Sequence, residues 1–324
     1  MREAHFIDKN KSKWVNIEQN LKNKSDIHPD VLSNNYIEIT NDLAYAQTYY
    51  PKSKTKDYLN ELALFAHQTL YRDKKLDQNQ LIDFFLNKAP KAIYHNRKML
   101  LFSFLIFCFF TVIGALSSAY DVNFIRQILG NEYVDMSMKN IAKGDPAAVY
   151  KGGSDIGSSI GITINNIRVS FLAFALGIFF SIGTGYILMQ NGIMLGAFHY
   201  MFYQEGVLGK AMSGIWIHGT IEISVIIIAG ACGLMLGNSF MFPGTLKRVE
   251  NLKIKTKEAI TILITTIPLF IVAGFLEGYV SRLYDLNIFF SLSIILISLF
   301  IIVFYYIIFP YLQAKKHQWT TRAF

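Results

Sequence analysis

Cysteine is nearly absent: Cys108 and Cys232 are the only two in 324 residues. Both fall inside apolar runs. That excludes an exported disulfide framework and a cysteine-based metal motif, and both read as small buried hydrophobes. An apolar leader is not expected either. The first residues, MREAHFIDKNKSKW, are polar and charged with no h-region, so no cleavable signal peptide is expected. No Gly-rich phosphate loop is present: GGSDIGSSIG at 152–161 matches no P-loop spacing. Charge is sparse, and residues 99–119 carry none. No basic patch with interleaved aromatics occurs, so nucleic acid is not an expected partner.

What is present is apolar. Hydrophobic residues make up 52% of the chain and the mean hydropathy is +0.31. That composition lies outside the ordinary soluble range and points to an all-α, polytopic membrane protein with about six transmembrane helices. The net charge of +8 is unevenly placed. Residues 1–99 hold 16 Lys/Arg against 12 Asp/Glu, and 238–257 hold five against one. The tail 311–324 holds three basic residues and no acid, while 120–162 hold four against five. Positive segments stay inside. The N- and C-termini and the 238–257 loop are therefore expected in the cytoplasm, and 120–162 on the far side.

Residues 1–78 read as a cytoplasmic helical domain. Leu32, Tyr36, Ile39, Leu43 and Ala46 recur at helical spacing before Pro51. Residues 79–98 read as an amphipathic helix in the headgroup plane, bent at Pro90. The membrane domain spans 99–310. Its first helix covers 99–119. The outer loop 120–162 carries short amphipathic helices, and a second helix covers 163–189. Residues 191–205 are too short for an ordinary span and are expected to cross with help or re-enter. The central helix follows, then one at 259–280 kinked by Pro268. The last, at 287–309, ends at Pro310 before the basic tail 311–324.

The stretch 213–238, SGIWIHGTIEISVIIIAGACGLMLGN, organises the rest. His218 and Glu222 lie one turn apart on one helix face, above Val225, Ala229 and Gly233. That face of small residues suits close helix packing. A carboxylate inside a membrane helix is expensive and points to a functional site by default. Glu277, near the end of the 259–280 helix, is placed to share the depth of that pair or to pair with Arg282. His199 and Asn191-Gly192 lie in the short segment, the kind of interrupted element that lines binding sites. Two readings of the polar group stay open: a hydrogen-bonded lock, or a site for an ion or substrate. One His and two carboxylates, His218, Glu222 and Glu277, would make a zinc-type set, so a divalent metal is a possible cofactor. The two-histidine metalloprotease pattern is missing.

IHGTIEISVIIIAGACGLMLG, with its His-Gly-x-x-Glu start and small residues after it, resembles the signature of the stage II sporulation protein M family. NNIRVSFLAFALGIFFSIGT, LMQNGIMLG and GFLEGYVSR resemble neighbouring blocks in the same order. MREAHFIDKNKSKW and NDLAYAQTYYP resemble the N-terminal extension of the long bacterial members. The resemblance implies a polytopic inner-membrane protein and places His218, Glu222, Glu277, Asn191 and Gly192 at matching positions; it carries no reaction with it. The sporulation member acts with envelope partners in engulfment and peptidoglycan remodelling, and the long extension departs from that version. Three functions are therefore expected in turn. The first is a non-enzymatic component of a cell-envelope or membrane-remodelling complex, homodimeric and partnered by lipid and other membrane proteins. The second is an ion or small-solute transporter using the His–Glu pair. The third is a metal-dependent membrane hydrolase.

Overall fold

The computed structural model describes residues 2–22, 29–70, 78–144, 146, 156–280 and 287–319. The chain divides into two compact units, 1–78 and 79–324, and among the described residues both are helical without strands.

The first unit packs α1 (Glu3–Lys22), α2 (Pro29–Tyr49) and α3 (Lys54–Leu70). Its core is the stripe read from the sequence: Leu32, Ile39 and Ala46 meet Phe6, Trp14, Ile17, Leu59, Leu62 and Ala66. The Trp14 indole N–H is not left unpaired in that core but donates to Asp42 at 2.8 Å. Ser53 caps α3, its Oγ accepting from the Thr55 N–H at 2.9 Å. The Ser53 hydroxyl also donates to Glu3 Oε1, as does that of Thr55 at 2.7 Å. These bonds, that of Ser53 first, favour the ionised carboxylate and hold Glu3 below its ordinary 4.5. A carboxylate depressed in the folded state stabilises above its unfolded pKa and loses that contribution as pH falls through the folded value.

The second unit takes in α4 (Gln78–Asp83) from its second residue, then a π-turn over Phe84–Lys88, and α5 (Ala89–His95). Then come α6 (Arg97–Tyr120), α7 (Val122–Leu129) and α8 (Asn131–Ala142). Next, α9 (Ile156–Ala175) is prolonged by a 3-10 turn to Ile178, and α10 (Ile182–Gln204) and α11 (Leu208–Met241) follow. After α12 (Arg248–Ile264), α13 (Ile267–Phe275) runs into a second π-turn, Leu276–Val280. Finally α14 (Ile288–Val303) passes through a third, Phe304–Ile308, into α15 (Phe309–His317). Among the described residues, four stretches are long and apolar enough to cross a membrane: Arg97–Tyr120, Leu208–Met241, Arg248–Val280 and Ile288–His317.

Of these, α11 is the axle. In its most apolar stretch 72% is buried inside the protein, against 17% in α6 and 17% in the α14–α15 helix. Its glycines admit neighbouring backbone directly. A Cβ on Gly233 would stand 2.2 Å from Ala173 O and 2.3 Å from Thr184 Oγ1; one on Gly237 would stand 2.1 Å from Ser181 Oγ. Gly177 faces Gly233 with no side chain between them. A second seam joins α6 to α10, where Gly114 lies against Ile193 O, Gly192 against Phe107 O and Gly196 against Thr111 O. These contacts set the helix directions. Phe107 and Thr111 of α6 meet Gly192 and Gly196 of α10, four residues on in each helix, so these run parallel. Residues 184 and 188 of α10 meet 233 and 230 of α11, so these run antiparallel.

Three expected boundaries are corrected. The helix expected at 163–189 breaks at 179–181, where Phe180 and Ser181 take left-handed φ of 54° and 64°. That conformation costs non-glycine residues about 1–2 kcal/mol each. It is held by Ser181 donating to Leu234 O at 3.3 Å and seating on Gly237. Residues 191–205 are accordingly no separate short segment, because α10 runs unbroken through Gln190-Asn191-Gly192. The last helix does not stop at Pro310. A proline lacks the N–H and crowds the carbonyl four residues back, and here a π-turn precedes it. The same device precedes Pro90. It frees carbonyls that find partners across the fold: the Tyr305 hydroxyl donates to Phe85 O at 3.0 Å, and Gln313 to Leu86 O at 3.3 Å. Pro268 does interrupt its helix, with the step at Thr265–Thr266 between α12 and α13.

Two outcomes follow from this packing. Gly233→Ala forces the α9–α11 seam apart, with an expected loss of about 1–3 kcal/mol. Gly185→Ala, whose Cβ meets nothing within 4 Å, is expected to be neutral or stabilising by up to about 1 kcal/mol. Thermal denaturation of the detergent-solubilised protein reads both. In the first unit, hydrogen-exchange protection of α1 and α3 is expected to fall in the wild type as pH drops below 4.5. In Glu3→Gln it should be low already and should not change across that window.

Candidate functional site

Three elements carry the polar groups singled out by sequence. On α11, His218 is 3% exposed, and Glu222, one turn on, is partly exposed. The Asn166 side chain on α9 lies against the Glu222 carboxylate. Glu277 is 3% exposed and sits inside the Leu276–Val280 π-turn. Such wide turns inside α-helices frequently mark functional positions. α9 and α11 both pack against this turn. Leu276, beside Glu277, joins the cluster containing Ile221 and Val225, which share the His218 stripe of α11. Asn166, His218, Glu222 and Glu277 therefore project from elements that meet. His218 and Glu277 each have partners within the fold.

The metal expectation does not fit this arrangement. Among the described residues no three His, Cys, Asp or Glu side chains group closely enough to hold an ion. His218, Glu222 and Glu277 do not form such a group.

The remaining sequence candidates are committed to packing. Asn191 donates back to Ile187 O of its own helix at 2.8 Å, and Gly192 receives the α6 backbone at Phe107. His199 bridges two helices. Trp216 on α11 donates its indole N–H to Nε2 at 3.1 Å, so the ring proton lies on Nδ1 and reaches Leu195 O at 2.7 Å. That makes His199 a fully used neutral imidazole at the α10–α11 contact. Beside it, α7 and α8 fold over the ends of these helices, burying Ile125 and Val134 against Met201, Phe202, Ala211 and Ile215.

One polar cluster escaped the sequence reading. Asn96, 1% exposed, donates to Glu258 Oε2 at 2.9 Å and to Ala92 O at 2.8 Å. Its carbonyl oxygen accepts from Lys255 Nζ at 2.9 Å, and Lys255 pairs with Glu258 at 3.0 Å. A Lys-x-x-Glu spacing on a basic helix was the visible signal. Its partner is 159 residues away from Lys255, so sequence spacing shows nothing of it.

Long apolar helices, a buried central one and polar groups held within the apolar layer together define an integral membrane protein. Residues 103–282 match the family model of stage II sporulation protein M, and the chain belongs to that family. Residues 4–72 match a domain of unknown function, DUF8413. An uncharacterized protein of Methanocaldococcus jannaschii is 30% identical over 125 residues, covering 36% of this chain and 52% of that relative, about half its length. No solved structure matches.

Removing the central donor of the missed cluster has a defined outcome. Asn96→Ala deletes one bond each to Lys255 and Glu258 in a buried setting, with an expected loss of about 1–3 kcal/mol. A thermal midpoint equal to that of the wild type would show the cluster to be dispensable.

Proposed function

We propose that this protein is a non-catalytic assembly component of the inner membrane. In this reading it crosses six times, with both termini in the cytoplasm. The crossings are α6, α9, α10, α11, the α12–α13 helix and the α14–α15 helix. The parallel α6–α10 pair and the antiparallel α10–α11 pair agree with alternate crossings. The basic 1–99, 238–257 and 311–324 segments agree with one inside face. The observation that carries the role is the commitment of polar and small residues along α10 and α11 to helix contacts. A bundle locked this way presents fixed outer faces. Those of α6 and α14 are apolar and exposed, and suit lipid, a second copy or another envelope protein.

Transport is the second reading, favoured by one observation: a buried Glu277 in a π-turn against the helix that bears His218 and Glu222. Intramembrane ionisable residues of this kind mark ion paths.

Two variants separate the readings. For an assembly component, His218→Ala lowers the thermal midpoint and shifts the detergent-corrected mass from light scattering, while Glu222→Gln leaves cation flux in proteoliposomes at the wild-type level. A Glu222→Gln protein of wild-type mass and midpoint that abolishes a measurable flux would overturn assembly in favour of transport.

A further inference from the structure

We propose that the cleft between the π-turn–α5 segment and the end of α15 binds the phosphate-bearing headgroup of an anionic lipid. The cleft has a volume of about 280 Å³ and is lined by Asp83, Asn87, Lys88, Lys91, His317 and Trp319. Its acid is already engaged: Asn87 donates to Asp83 Oδ1 at 2.9 Å, and Lys88 lies 3.2 Å from Oδ2. Lys91 is exposed and has no acidic partner among the described residues, which leaves it as the cation open to a ligand.

The cleft is built by specific backbone devices. α15 ends with Gln318 in the left-handed region, φ 50°, and the Trp319 N–H returns to Ala314 O at 3.0 Å. This six-to-one closure turns the chain back on itself at the helix end. Trp319 is thereby stacked on His317 at 5.7 Å and set 6.2 Å from the Tyr94 ring. Arg97 covers the Tyr94 ring at 4.3 Å. The opposite wall is held by the Phe85 and Leu86 carbonyls bonded to Tyr305 and Gln313.

Its level in the membrane follows from α14–α15. The apolar run gives way there to Lys315-Lys316-His317, so the cleft stands where a spanning helix meets the headgroups. Tyr94, Tyr311 and Trp319 form an aromatic belt at that level. Leu81, Ile82 and Leu86 are about half exposed along α4 and the π-turn, apolar surface of the kind that dips below headgroups. A cation, an aromatic wall and adjacent apolar surface fit a lipid phosphate with its chains attached better than a free anion. This ligand is independent of whether the protein assembles or transports; it needs only the α14–α15 helix to span.

The test is native mass spectrometry of the full chain in detergent, titrated with phosphatidylglycerol or phosphatidylcholine, with inorganic phosphate as a competitor. One phosphatidylglycerol is expected to be retained in preference to phosphatidylcholine. Lys91→Gln should weaken it about fivefold, and Lys316→Gln, exposed and outside the cleft, by less than about twofold. Equal losses in the two variants would reduce the effect to diffuse surface charge and overturn the site. Equal retention of the two lipids would overturn the anionic class. Displacement by an equal concentration of inorganic phosphate would reassign the cleft to a free anion.

Discussion

Backbone-to-backbone contact along α11 is the constraint on which the membrane unit depends. Lipid supplies no hydrophobic drive for helices to associate, so association rests on close van der Waals fit. Gly233 and Gly237 bring α9 and the 179–181 turn within a distance no side chain allows. Gly114, Gly192 and Gly196 do the same for α6 and α10. The two seams set helix order and direction, and so set which polar groups meet.

Backbone polarity is the second constraint. An unpaired carbonyl in an apolar medium costs several kcal/mol, and the two proline-linked π-turns would create such groups. Where Pro90 withholds its N–H from Leu86, Gln313 supplies a donor; where Ala89 bonds Phe84 instead of Phe85, Tyr305 supplies the other. The defect in one helix thus becomes the joint that fastens α4–α5 to the last long helix. Ser103 bonding Ile227 O and Thr184 bonding Ala173 O close other helix contacts in the same manner.

The polar groups of the bundle divide into two kinds. Those of α10 are exhausted by packing: His199 has both ring nitrogens engaged, and Asn191 serves its own helix. Those at the α9–α11–π-turn junction are placed differently: Glu222 stays partly exposed beside Asn166 while Glu277 is enclosed. The same residue types therefore carry different weight according to what lies across from them.

Sequence by itself determined that the protein is helical and membrane-embedded, that α11 is its centre, and where the core of the first unit lies. Those properties follow from local periodicity and from the mismatch between apolar runs and water, which any 20-residue window displays. The family was legible too, since its signature coincides with the α11 face of small residues. Only tertiary structure decided that α10 runs through Asn191-Gly192. That pair reads locally as a turn, and the close approach of the α6 backbone at Phe107 makes it a packing site. Only tertiary structure placed the break at Phe180–Ser181, where two residues of poor left-handed propensity are held by Gly237 and Leu234 from another helix. The Asn96–Lys255–Glu258 cluster and the Trp319 cleft were equally hidden. Each joins residues far apart in the chain, and a contact between distant segments leaves no mark on either one alone.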